Sequence, residues 1–569
     1  MRLVQVLIVL VSFLPMGALA QSNDPSASEM RFVLERFQAD FGVLRRRYTV
    51  PMSEIQQKRM ETFYGDWLKS LAKEPFESMS EPGKVDYVLF RNYLQRALNQ
   101  LALAKKRQVE MMPILPFTKT IVATEEAWQA MANLDPAKTA VTVNELVKQI
   151  KDAHKAVDKG VKIDRTVANR AVATLQSVRR SFSDWFNFYH GYDPMFSWWV
   201  SEPYKEADKA LDEYTNLVRD KLVGIKPDDK TTIIGDPIGE KALQDELKDA
   251  MIPYTPAEIL AIANKEYAWC ETEMKKASHE LGYGDDWKKA LEHVKQQYVE
   301  PGKQPQLIRD LAEEAIKFVQ QRDLVTIPPL AIEGYRMSMM SPERQLIAPF
   351  FLGGEEIQVS YPTDTMTQEQ KMMSMRGNNR HFARATVFHE LIPGHHLQGY
   401  MQQRYRSYRR LFDTPFWVEG WALYWEMLMW DLNFQKSPED KIGMLFWRMH
   451  RCARIIFSFS FHTGKMTPQQ CVDFLVDKVG HERENAAAEV RRSFGGSYEP
   501  LYQAAYMLGG LQIRSLRHEL VDSGKMTNKQ FHDAILHENS IPIEMLRADL
   551  ESVPMTRDYE PIWRFYDRP

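Results

Sequence analysis

The run His389-Glu390-Leu391-Ile392-Pro393-Gly394-His395-His396 holds the residue types from which hydrolases build a zinc site, but at an unusual spacing. Two imidazoles can hold a divalent ion while an adjacent carboxylate takes a proton from water. In the helical form of this motif, His-Glu-x-x-His, the second histidine follows the first by one turn, and here that position is Pro393. On a regular helix His395 would lie roughly 240° round from His389, whereas His396 would share its face but sit roughly 10.5 Å along the axis. Neither converges on one ion. Proline removes a backbone donor and clashes with the preceding turn, and glycine admits unusual dihedrals, so the chain bulges most easily at Pro393-Gly394. Two readings stand at this point: a helix interrupted at Pro-Gly that carries a metal site, or no metal site.

The stretch from His389 to Gln398, His-Glu-x-x-Pro-Gly-His-His-x-Gln, resembles the signature of the domain-of-unknown-function family 885, bacterial proteins grouped with the gluzincin metallopeptidases. Further family-like segments are Ile238-Gly239-Glu240, Pro253-Tyr254-Thr255-Pro256-Ala257-Glu258, Glu419-Gly420-Trp421-Ala422-Leu423-Tyr424, and Gln503-Ala504-Ala505-Tyr506-Met507-Leu508-Gly509. Aligning the Gly-His pair with the plainer gluzincin motif His-Glu-x-Gly-His makes His395 the second ligand and His396 the alternative. The resemblance implies one Zn²⁺ held by His389, His395 and a carboxylate from the following helix, for which Glu419 is the candidate. Gly420, next to it, permits close approach of backbone.

Glu390 is then the general base. Glu426, seven residues after Glu419 and on the same helical face, could orient a ligating histidine. An oxyanion donor should face the metal from elsewhere in the chain. Tyr506 is the first candidate, because related helical peptidases use downstream Tyr and His groups in this way, and His462 is the second. His481 and Arg454 follow.

These residues must be positioned by helices. Apolar residues recur at three- and four-residue spacing over 55–71, 84–103, 141–157, 167–188, 203–222, 255–281 and 307–321. Glu81-Pro82-Gly83, Glu300-Pro301-Gly302 and Ile327-Pro328-Pro329 read as turns between them. The spacing predicts the motif helix from an Asn378-Asn379 cap through Ala383 to Ile392, a second segment from His395 to about residue 408, and a further helix over 416–432 after Asp413-Thr414-Pro415. One segment alternates instead: Ile357, Val359 and Tyr361 after Gly353-Gly354 read as a short edge strand, to which an extended substrate could add. The expected fold is mainly α, a large helical zincin-like body with a short sheet or edge strand beside the metal helix. Residues 21–330 are read as an N-terminal helical region forming part of the cleft and 331–569 as the catalytic region, packed as one body.

The chain has 569 residues, 44% of them apolar, and a formal charge of only -3 with no basic arm, which argues against nucleic acid as a partner. Residues 1–20 read as a secretory signal: Arg2, an apolar core over 3–14, and a small-x-small site at Ala18-Leu19-Ala20. Gln21 is not the cysteine that a lipid anchor needs, and no later run is long and apolar enough for a stable membrane span. The mature protein is expected in the periplasm or medium. Cys270, Cys452 and Cys471 are read as buried free thiols, although Cys452 and Cys471 could pair. The aromatic group Trp185, Phe186, Phe188, Tyr189, Tyr192, Phe196, Trp198 and Trp199 is read as helix packing.

Taken together, the expected activity is zinc-dependent hydrolysis of peptide bonds in short peptides. The rival readings are a zinc hydrolase of a non-peptide amide or ester, and a non-catalytic binding protein of the same fold.

Overall fold

A computed structural model describes residues 28–566 except 227, 228, 230, 346, 347, 349 and 497, so the signal segment lies outside the described residues. The chain is mainly α. Helices run from Arg31–Arg47 to Ile543–Leu550, and the one sheet among the described residues has two parallel strands, β1 (Arg336–Met339) and β2 (Glu356–Val359). Their register pairs Arg336 with Glu356 and Met339 with Val359. No helix of the described residues is long and apolar enough to cross a membrane.

Among the described residues, three apolar cores organise the body. The largest joins the first three helices (Met30, Phe37, Trp67, Phe90) and the segment from Leu243 to Ala331 to the helices after Phe382. Residues between Met111 and Val223 bury a second core, in which Trp185 stacks on Phe182 at 5.2 Å and meets the edge of Phe196 at 5.4 Å. From the aromatic group of this region Trp185, Phe186 and Phe196 are buried, while Tyr192 and Trp198 face solvent. The third core lies under the sheet, where Ile357, Val359 and Tyr361 pack with Ala383, Val387 and Leu391 of the motif helix. The alternation read in the sequence therefore does place a strand beside that helix.

Local chemistry sets the element boundaries. Glu81-Pro82-Gly83 is not a turn: it opens the Glu81–Met111 helix, where the Ser80 hydroxyl accepts from Gly83 N at 3.3 Å and proline fills a first-turn position whose N–H needs no partner. Likewise Pro203 lies inside the Pro194–Leu217 helix, which starts nine residues before the predicted point because Asp193 caps it by accepting from Met195 N and Phe196 N. All three cysteines are buried and free, so Cys452 and Cys471 do not pair.

The crossing of the Pro415–Asp431 and Tyr502–Arg517 helices positions the site. They touch backbone to backbone at Gly420 and Gly509: a Cβ on Gly420 would stand 2.6 Å from the Gly509 carbonyl carbon, and one on Gly509 would collide with the Phe416 carbonyl oxygen. Gly509→Ala is expected to lower stability by about 1–3 kcal/mol, because overpacking must push the helices apart. An unchanged urea midpoint would show that the crossing relaxes freely.

Candidate metal centre

The motif helix is Arg380–Glu390, capped by Asn379, whose side chain accepts from His381 N and Phe382 N, both at 3.0 Å. It stops at Glu390, and a new helix, His395–Gln402, starts after four intervening residues. Between them Leu391 takes φ -106° and ψ -107°, Ile392-Pro393 is a cis peptide, and Gly394 takes φ -79° and ψ -134°. Several backbone groups of the break are paired: Gly394 N donates to Phe388 O at 3.0 Å, His396 N to Leu391 O at 3.0 Å, and the Trp421 indole to Pro393 O at 2.8 Å. Only glycine fits at 394, since a Cβ there would overlap the His389 carbonyl and stand 2.6 Å from Phe388 O.

The break turns His395 back toward His389. The ring centroids are 4.9 Å apart, nearly perpendicular, and one donor atom each from His389, Glu390 and His395 can be chosen within 4.8 Å of the others. His395 Nε2 lies 3.3 Å from Glu419 Oε2. Two donors at about 2.0–2.2 Å from one tetrahedral ion stand roughly 3.3–3.6 Å apart, so this spacing fits shared coordination. His389 Nδ1 lies 2.7 Å from Glu426 Oε1, a pairing in which the imidazole N–H donates and Nε2 is left for an ion. The second oxygen of Glu419, Oε1, accepts from the Tyr502 hydroxyl at 2.5 Å.

His396 points elsewhere. Its Nδ1 lies 3.2 Å from Gly354 O and its Nε2 2.9 Å from Ala331 O, so both ring nitrogens face backbone carbonyls and the residue ties the second helix to the sheet region. His462 does not reach the site either; it lines a separate cavity with Tyr93, Arg107, Asp236 and Phe494. Helix direction explains this, because His462 ends the Pro438–His462 helix, two to three turns beyond Arg451 and Arg454, which do face the site. His481 is engaged with His450 at 2.8 Å.

Tyr506 and Arg454 line the same cavity, of about 380 Å³, as His389, Glu390, His395 and Glu419. Tyr506 lies nearly parallel to the His389 ring at 6.4 Å. Tyr498, Tyr502, Arg451 and Arg492 also line it, and none of these four was singled out from the sequence. A signal existed in the four-residue spacing of Tyr498, Tyr502 and Tyr506, of which the last two lie one turn apart on the Tyr502–Arg517 helix. Gly353 packs against the Glu390 carboxylate, where no side chain would fit, and so brings the loop before β2 to the site. Gln358 of β2 exchanges both backbone bonds with Leu352, so at that residue the strand is closed to an added substrate strand.

Burial governs the charges. It raises the Glu390 carboxyl to about 7, against the lowering effect of His395. It raises Glu426 to about 7 as well, with Arg451 opposing. For Glu419 burial also acts upward, but the His395 contact overrides it and holds the group well below the usual carboxylate range. His395 answers in kind: burial lowers it, Glu419 dominates, and it is raised to about 9. His389 is driven well below its ordinary value by burial and by His395, which keeps it neutral and able to donate a lone pair.

The sequence matches the family described as bacterial protein of unknown function (DUF885) over residues 37–550. The chain belongs to that family. Among solved structures it is similar to a candidate lipoprotein of unknown function from Shewanella oneidensis, at 19% identity and a TM-score of 0.69, covering 92% of this chain and 100% of that one. It is also similar to a candidate lipoprotein from Colwellia psychrerythraea, at 16% identity and a TM-score of 0.57, covering 92% and 96%. These likenesses define the fold. No curated protein matches the chain.

Proposed function

We propose that this DUF885 protein is an exported zinc metallopeptidase of the gluzincin type that hydrolyses peptide bonds in short peptides. The observation that carries the reading is the return of His395 to His389 across the Leu391–Gly394 break, with Glu390 beside both and Glu419 at 3.3 Å from His395. His389, His395 and Glu419 would hold the ion, and their nitrogen and carboxylate donors suit zinc. When bound, such an ion supplies Lewis acidity that polarises a carbonyl and makes an attacking water more acidic.

The protein's own groups do the rest. Glu390, buried and raised to about 7, is poised to take a proton from water near neutral pH and return it to the leaving amine. Glu426 holds the His389 ring in one orientation, and Tyr502 holds Glu419. Tyr506, across the cavity, is the candidate donor to the oxyanion of the tetrahedral intermediate. The cavity's size favours short, unstructured peptides over folded proteins. Export is supported by the leader read in the sequence and by the lipoprotein descriptions of the two similar structures.

The test is a peptide library assayed against protein of measured zinc content, with small non-peptide amides and esters in parallel. Peptide cleavage that tracks zinc content is expected. Turnover of the small substrates alone would replace the reading with a non-peptide hydrolase, and no turnover with any ligand class would leave a binding protein. A narrower prediction concerns Glu426→Gln: losing the charge behind His389 is expected to weaken zinc affinity about 10–100-fold, measured by competition with a chelating dye. Unaltered affinity would remove Glu426 from the site.

A further inference from the structure

Part of the cavity lining beside the ligand candidates is built from guanidinium groups. Arg451 and Arg454, one turn apart on the Pro438–His462 helix, line it with Arg492 from the Arg483–Phe494 helix. Among the described residues two carboxylates pair with these three cations, while Glu419 acts on Arg451 from farther off. Glu489 is shared by Arg454 Nε at 2.6 Å and Arg492 Nε at 2.8 Å, and Glu426 is already engaged by His389.

Arg451 is the group left over. It is 5% exposed, yet among the described residues its guanidinium meets Glu426 only at 3.7 Å, beyond hydrogen-bond length, and otherwise lies over the rings of Trp447 and Tyr506 at 5.3 and 4.7 Å. Its Nε has no partner, and neither does Nη1 of Arg454. A buried guanidinium without its hydrogen bonds is costly unless an anion completes it, and a carboxylate does so with matched, often bidentate, geometry. Burial and the neighbouring Arg454 push Arg451 below its ordinary value, as expected of a cation lacking a full counter-charge.

Position selects which carboxylate. Tyr506 neighbours both groups, its ring 6.4 Å from His389 and 4.7 Å from Arg451. Arg451 meets Glu426 at 3.7 Å and Glu426 meets His389 at 2.7 Å, so the guanidinium lies within the reach of one or two extended residues, at roughly 3.3–3.6 Å each, of a peptide bond held at His389 and Glu390. We propose that Arg451, with Arg454 beside it, anchors the terminal carboxylate of a peptide whose last or next-to-last peptide bond lies at His389 and Glu390, so that the site is a carboxy-terminal exopeptidase. Water cleaves that bond, giving a shortened peptide with a new carboxylate and a released amino acid or dipeptide. The proposal rests on the peptidase reading above and adds its substrate class.

The experiment uses the zinc-loaded mature chain and pairs of peptides identical except for a free or amidated C-terminus. The free acid is expected to exceed the amide in kcat/KM by about 100-fold, the scale of truncating one partner of a buried charge pair. Arg451→Met is expected to remove most of that difference by lowering the free-acid value alone, with zinc content and the thermal unfolding midpoint as in the wild type. Equal cleavage of acid and amide by the wild type overturns the anchor and leaves the peptidase reading standing. So does a loss in Arg451→Met that is the same for both peptides, since that assigns the cation to the reacting carbonyl. N-acetylphenylalanine and its amide, titrated by calorimetry against zinc-loaded Glu390→Gln, separate binding from turnover. Preference for the acid without cleavage of any peptide by the wild type keeps the anchor and sinks the peptidase; no preference in either measurement sinks the anchor.

Discussion

Replacing Glu390 by glutamine is expected to lower kcat on a cleavable peptide between about 100- and 10,000-fold while zinc stays bound. The amide keeps the shape of the carboxylate but cannot accept the proton that water must lose. The site favours this role for Glu390 over ligation, because Glu419 already stands 3.3 Å from His395 and is held by Tyr502. The side chain is buried, so its carboxyl is raised to about 7, in the range where a base works best near neutrality. Metal analysis of the same sample makes the outcome decisive. Loss of zinc in Glu390→Gln would make Glu390 a ligand, in keeping with its place in the compact His389, Glu390, His395 cluster. Full activity with zinc retained would end the base assignment.

The second large effect separates the adjacent histidines. His395→Ala is expected to abolish stoichiometric zinc binding and all zinc-dependent turnover, since it removes one of three protein donors and strips Glu419 of its partner. His396→Ala should keep zinc and activity, because that ring faces the carbonyls of Gly354 and Ala331. Its cost is to stability, about 1–3 kcal/mol for a carbonyl left without its donor and for the lost packing of the ring. Metal content by mass spectrometry and a urea titration on both variants check the pair. Zinc lost from His396→Ala at unchanged stability would reverse the assignment.

Much of this centre was legible in the residues because its pieces are local. The Asn379 cap, the Pro393-Gly394 interruption and the Gly353-Gly354 approach to a strand each follow from backbone chemistry that glycine, proline and asparagine report directly. Where reading failed, the cause was a competing local rule. Pro82 and Pro203 look like breakers, yet the one sits in a capped first turn and the other inside a helix already started by Asp193. His462 is read as the second oxyanion donor because related peptidases use downstream Tyr and His groups, but it lies too many turns along its helix to share a cavity with Arg451.

By itself the sequence determined a mainly helical chain, the break in the motif helix, and a candidate set of histidines and carboxylates, because composition, periodicity and turn chemistry act over a few residues. The tertiary structure decided which of those groups meet. Glu419, Tyr502 and Tyr506 converge because Gly420 and Gly509 let two helices touch backbone to backbone. Arg451 is left short of a counter-charge because Glu489 serves Arg454 and Arg492 while Glu426 serves His389. Apart from Glu489 with Arg492, three residues on, those pairings join residues tens of positions apart. They depend on how helices cross, which no local pattern encodes.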